Sequence, residues 1–300
     1  MKPKKKHSKF KSKDTLAAYL FISPMLIGIF IFFVFAFLQN IYFSFNKVGA
    51  FDTPTFVGID NYRRLLTDPI FLIALKNTIF YTVLGVPLVV FFSILIAWFL
   101  NQKIKGQSIY RTAIFLPAIT MPAAIGLLWR WLLNYQYGIV NYIIVKLGGT
   151  AVAWLSDTNT VKWAILLVLV WSMVSYQVII MLAGLQGISK TYYEAAEVDG
   201  ASKWQIFFKI TLPLLSPTIF FVTIMSTIGI LQIFDFIFLM IQRTAVAYQY
   251  SMSLVSYFYE LAFTQNLRGY ASAVSIVLFV IILIITVIQF VGQKKWVNYD

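Results

Sequence analysis

Cysteine is absent from this chain of 300 residues, and histidine occurs once, as His7. No disulfide and no thiolate chemistry is therefore available. A lone histidine inside a lysine-rich segment offers neither a metal site nor a His-based catalytic group. Acids are also scarce, eleven Asp and Glu against twenty-four Lys and Arg. No G-x-x-x-x-G-K-[ST] phosphate-binding pattern occurs anywhere. The sequence thus predicts no catalytic residues, no metal and no cofactor. Charge of either sign is thin: charged residues make up 12% of the chain, about half of what a soluble domain carries. What the chain has instead is apolar surface, 60% of its residues, more than one globular core can hide. That surplus has to face lipid.

The net charge of +13 does not point to nucleic acid, because of where the charge sits. Seven lysines fall within the first thirteen residues, MKPKKKHSKFKSK, directly before an apolar run. This is the positive-inside arrangement of a first membrane span. The run is too long for a signal peptide and lacks a small-residue cleavage site. Anionic lipid is a secondary partner that such a tail can bind.

A spanning helix needs about 20 mostly apolar residues, and six runs qualify: Leu16–Ile41, Asn77–Leu100, Ile114–Leu133, Trp163–Leu185, Leu214–Ile241 and Ala271–Val291. The third contains Pro117 and Pro122. It reads either as a kinked helix packed against protein or as a span that starts after Pro122. With the N-terminus inside, the inside segments hold fifteen of the twenty-four basic residues. An even number of spans returns both termini to the cytoplasm. The expected architecture is all-α and polytopic: a basic tail 1–14, a six-helix transmembrane domain 15–295, and a short cytoplasmic tail 296–300.

Between the fourth and fifth runs lies a polar island, Thr191–Pro213, reading TYYEAAEVDGASKWQIFFKITLP. Three of the eleven acids, Glu194, Glu197 and Asp199, sit in it. Thr191-x-x-Glu194 and Ser202-x-x-Gln205 both have the form of a capping box, and Gly200 can supply the left-handed residue that ends a helix. The expectation is helix, tight turn, helix, on the cytoplasmic side, with Pro213 and Pro217 marking the start of the next span.

The string Glu194-Ala195-Ala196, Asp199-Gly200-Ala201, Ile210-Thr211-Leu212-Pro213 resembles the EAA loop of importer-type ABC permeases. In that family the loop, here residues 186–213, is a coupling helix that docks on a cytoplasmic ATPase. Phe56-Val57-Gly58-Ile59-Asp60-Asn61-Tyr62 with Asn77-Thr78, Arg111-Thr112-Ala113-Ile114-Phe115-Leu116-Pro117 with Trp129, and Gly269-Tyr270-Ala271-Ser272-Ala273 are similar to segments of the carbohydrate-uptake branch. One departure is plain: Ile241-Gln242-Arg243-Thr244-Ala245-Val246 stands where many members carry Thr-Gly-Gly-Pro. The resemblance implies a type I ABC importer permease fold. It further implies a second permease subunit, a dimer of ATP-binding subunits that hydrolyse the ATP, an extracellular solute-binding protein and a sugar substrate.

Polar groups inside spans are costly, so those present are functional candidates. Asp235 is the one acid in an apolar run. Gln232 lies three residues before it, on the same face of a continuous helix, with Thr227 two turns below. Trp171, Tyr176 and Gln177 form a second polar-aromatic group in the fourth span. Both groups carry what sugar binding uses, aromatic faces and amide or carboxylate hydrogen bonds. Each also has a plainer reading: Asp235 as a hydrogen-bonding group toward a partner subunit, Trp171 and Tyr176 as packing aromatics. An ion-gradient-driven carrier is the competing transporter class; it would show internal repeats and more intramembrane ionisable groups. An integral-membrane enzyme would need a catalytic cluster.

Overall fold

The computed structural model describes residues 12–49, 53–102 and 105–298. The lysine-rich segment through residue 11, His7 included, lies outside the described residues, as do the last two residues of the C-terminal tail. The first span runs through helix α1 (Ser12–Ile29), a wider π-helical stretch (Phe30–Phe35) and α2 (Ala36–Ser44). A two-residue antiparallel strand pair follows, β1 (Asn46–Lys47) with β2 (Thr55–Phe56), the only departure from all-α among the described residues. Then come α3 (Asp60–Thr67) and α4 (Pro69–Leu100).

Helix α4 begins earlier than the apolar run suggests, because its start is chemically defined. Asp68 is the N-cap, its Oδ1 accepting from Ile70 N at 2.9 Å and Phe71 N at 3.3 Å. Pro69 occupies the first turn, where its missing N–H costs nothing.

The third predicted span is two helices, α5 (Gln107–Ile119) and α6 (Pro122–Leu132), bent by 104°. The bend answers the open reading of Pro117 and Pro122. Pro117 stays inside α5, while Met121, the residue before Pro122, is extended at φ −59°, ψ 135°. Proline disfavours the helical region for its predecessor, so the break falls there. Helix α7 (Ile139–Lys146) follows, and α8 (Val161–Gly187) is the fourth span.

After α8 come α9 (Lys190–Val198), α10 (Lys203–Ile206), a π-helical stretch (Phe207–Thr211) and α11 (Leu212–Leu231). The wide turn precedes Pro213, whose ring would otherwise press on a carbonyl one turn back. The predicted fifth span ends ten residues early. The helix stops at Leu231, Phe234 takes φ −141°, ψ −53°, and a separate helix α12 (Asp235–Met240) starts. Short helices α13 (Val246–Ser251) and α14 (Leu254–Tyr259) lead to α15 (Arg268–Gly292). Among the described residues, five helices are long and apolar enough to cross a membrane, and the number is six if the bent α5–α6 pair counts as one span.

Helices α4, α8 and α11 form the centre. Tyr81, Ile165, Met181, Leu215 and Ile230 are fully buried there. Small residues let the backbones close up: at Gly184 of α8, a Cβ would sit 2.9 Å from Leu215 Cδ1 and closer still to Thr218. The first span and the second half of α15 lie outside this core, while Tyr270, Ala271, Ala273 and Val274 of α15 are buried in it. The first span meets α15 through Phe37 on Phe279 at 5.0 Å and Asn40 Nδ2 donating to Ser275 Oγ at 2.7 Å.

Candidate functional site

The polar island folds as helix, turn, helix between two core spans. Its first cap differs from the expected one. Ser189, extended at φ −61°, ψ 135°, is the N-cap of α9, and its Oγ accepts from Thr191 N at 3.4 Å. Thr191 is already inside the helix and only shares a hydroxyl contact with Ser189 at 2.8 Å. The Thr191–Glu194 box therefore does not form, since a cap needs the non-helical backbone that Ser189 has.

The rest of the turn matches its sequence. Asp199 ends α9, and Gly200 takes φ +76°, a region in which a side chain is strained. Ala201 N donates to Ala196 O at 2.9 Å and Gly200 N to Glu197 O at 3.1 Å, the paired bonds of a Schellman ending. Ser202 then caps α10 with both halves of its box: Gln205 N donates to Ser202 Oγ at 3.3 Å, and Ser202 N to Gln205 Oε1 at 2.7 Å.

One side of α9 faces the protein and the other does not. Ala196 is buried, whereas Glu194, Ala195, Glu197, Asp199, Gly200 and Val198 are exposed, Val198 at 88%. None of the three acids makes an ion pair or side-chain hydrogen bond with a described residue. The root of the loop is fastened to α4: Trp98 packs on Trp204 at 5.7 Å and on Phe207 at 5.0 Å. The α9–α10 turn is thus joined to α8 and α11 by direct connection and to α4 by aromatic packing.

The structure separates the predicted intramembrane groups. At about 100° per residue, Trp171, Tyr176 and Gln177 point three ways around α8. Trp171 meets Trp129 of α6 edge-on at 5.4 Å and lines an apolar cavity of about 540 Å³ with Phe92 and Trp163. Tyr176 is exposed; Gln177 is buried, and its Oε1 has no hydrogen-bond partner among the described residues. Gln232 and Asp235 do not share a helical face, because the backbone breaks between them. Both are exposed, Gln232 beside a cavity of about 320 Å³ with Phe258 and Ser275, Asp235 in the first turn of α12. Thr227 turns inward, donating to Thr223 O at 2.7 Å and accepting from Gln289 Nε2 at 2.8 Å.

A polar node at the opposite end of the molecule escaped the sequence reading. Asp68 Oδ2 accepts from Tyr257 Oη at 2.5 Å and Tyr270 Oη at 2.6 Å, tying α4 to α14 and α15. Burial by itself pushes the Asp68 carboxyl up, but the two hydroxyls and two backbone N–H donors outweigh it and hold the group below its usual carboxylate range. The cap was legible, since Asp-Pro before an apolar run is a helix-start signal. The tyrosines, about two hundred residues away, were not.

The family described as "Binding-protein-dependent transport system inner membrane component" matches residues 71–296. The chain is 36% identical over 298 residues to the probable ABC transporter permease protein YesP of Bacillus subtilis, covering 98% of this chain and 96% of that one. It is 35% identical to the multiple sugar-binding transport system permease protein MsmF of Streptococcus mutans (92% and 94% covered). It is 32% identical to the lactose transport system permease protein LacF of Rhizobium radiobacter (96% and 97% covered). Among solved structures, a chain of a bacterial alginate ABC transporter in complex with an alginate pentasaccharide-bound periplasmic protein has the same fold, with TM-score 0.84 at 24% identity, covering 94% and 96%. The resemblance to carbohydrate-uptake permeases is borne out by these relatives. The chain belongs to the family of inner-membrane components of binding-protein-dependent transport systems: it is a multi-pass ABC-importer permease.

Proposed function

We propose that this permease moves a sugar or oligosaccharide inward, receiving it from an extracellular binding protein and drawing on a dimer of cytoplasmic ATP-binding subunits. It pairs with a second, similar permease chain. Both termini and the Ser189–Ser202 turn lie on the cytoplasmic side, in keeping with the basic tail. Relatives named for lactose and for multiple sugars support the substrate class. One observation carries the mechanism: a capped helix between two core spans that presents unpaired acids and the bare Val198 outward. Such a surface suits a groove with basic groups and an apolar floor. Nucleotide-driven closure of the ATPase dimer moves this helix, and the attached core rocks between its two orientations as a rigid body. Gln232, Asp235, Trp171, Tyr176 and Gln177 are assigned to the transport path or its partner-facing walls, with Gln232, Asp235 and Tyr176 exposed.

The capping geometry makes Glu194 a clean test. Ser189 holds the helix start, so Glu194→Gln leaves α9 folded. The expected outcome is loss of sugar uptake and of sugar-stimulated ATPase activity in the assembled complex. Activity at the wild-type level would sink the ionic role of Glu194.

A further inference from the structure

At the end of the molecule opposite the α9–α10 turn, a cavity of about 490 Å³ opens between the end of α6, the segment before α8 and the segment after α12. Arg130, Trp131, Tyr135, Tyr137 and Trp154 line it, and among the described residues its wall contains no carboxylate. Arg130 is exposed and makes no ion pair or hydrogen bond with any described residue. An adjoining cavity of about 660 Å³ shares Trp131, Tyr135 and Tyr137 and adds Lys146.

This wall is fastened from behind. Asn141 is 4% exposed, and its Nδ2 donates to Tyr135 O at 3.2 Å and Val152 O at 2.9 Å. Its Oδ1 accepts from Val152 N and from Trp154 Nε1, both at 3.1 Å. One buried amide therefore sets the Tyr135 and Trp154 segments against each other before any ligand arrives, which lowers the ordering cost of binding.

Three properties select the ligand. Several large aromatic rings in one concave site match the C–H faces of sugar rings. A planar guanidinium with no partner matches a carboxylate, which it can hold through two parallel hydrogen bonds. A single cation balances a carboxylate, whereas a phosphate monoester at about −1.5 to −2 would remain partly uncompensated. Arg130 also lies in the last turn of α6, where a cation interacts favourably with the helix end. That interaction needs only charge, and Lys supplies it as well.

We propose that the cavity around Arg130 is an outer subsite of the transport path for an acidic saccharide, with the guanidinium pairing a uronate carboxylate among Trp131, Tyr135 and Trp154. The adjoining cavity accepts the next ring, so the ligand is an oligosaccharide. The inference rests on the carbohydrate reading above.

The test is uptake by the complete transporter, with one binding protein throughout, of a uronate-containing oligosaccharide and a neutral one of equal length. Wild type, Arg130→Gln and Arg130→Lys are compared. For Arg130→Gln the half-saturating concentration of the uronate should rise about tenfold or more, as expected for a lost charged hydrogen-bond pair, with neutral uptake unchanged. Arg130→Lys should fall between, since it keeps the charge and loses the fork. Equal loss on both sugars marks a structural role and overturns the proposal. Uronate uptake unchanged in Arg130→Gln, or a wild type that moves only the neutral sugar, overturns it too. A wild type that moves neither sugar overturns the carbohydrate reading and this proposal with it.

Discussion

Asp68 shows how much one carboxylate can join. Its Oδ1 starts α4 and its Oδ2 receives Tyr257 and Tyr270, so three helices meet at one side chain. Asp68→Ala removes a cap worth about 1 kcal/mol and two hydrogen bonds to a charge; a loss of about 2 kcal/mol or more is expected. It would be read as a lower melting midpoint of the purified protein in detergent. Tyr257→Phe should show a smaller part of the same loss. The pH dependence has a definite sign. A carboxyl held below its unfolded value of 3.8 contributes stability in full above that value and loses it as pH falls through the lower folded value. Wild type should therefore lose more stability than Asp68→Asn on acidification below about pH 4. At this scale the sequence is half legible. Asp-Pro announces a helix start within two residues, but nothing local to Asp68 names Tyr257 or Tyr270.

At the scale of elements, the α9–α10 turn was readable because its signals act over three or four residues. Gly200 ends one helix and Ser202 starts the next, each through hydrogen bonds to close neighbours. The one misreading, Thr191 for Ser189, arose because both residue types can cap and only the backbone decides which does. Gly200→Ala should cost about 1 kcal/mol, since φ +76° is strained for a side chain. It should also tilt α10 relative to α9, so that ATP hydrolysis persists while uptake per ATP falls; unchanged uptake per ATP would show that the turn tolerates the strain. Long spans were legible for a different reason: the bilayer demands about 20 apolar residues from every one of them. Their interruptions were less so. The 104° bend between α5 and α6 coincides with Pro122, a local signal, but the break after Leu231 carries neither proline nor glycine. At that break Phe234 packs on Phe238 and on Tyr259, each at 5.0 Å.

At the scale of the whole molecule, the core of α4, α8 and α11 connects the turn at one end to the Asp68 node at the other. The first span and the second half of α15 lie at its flank, with large apolar residues left exposed. If the turn is the ATPase dock, an ATP-binding subunit should copurify with this chain, and Val198→Asp should release it. Val198 is 88% exposed, so this change leaves the fold's own stability within about 0.5 kcal/mol. Retained copurification with an intact complex would place the dock elsewhere. By itself the sequence determined the class of solvent, the turn and the family, because each is written in length, composition or spacing along the chain. Tertiary structure alone decided which apolar faces are inner and which outer. Lipid tails are as apolar as leucine, so hydropathy cannot tell a core-facing side from a lipid-facing one. It alone separated Gln232 from Asp235, and it alone brought Arg130, Trp131 and Trp154 around one cavity, because contacts between residues far apart in the chain leave no mark on the residues in between.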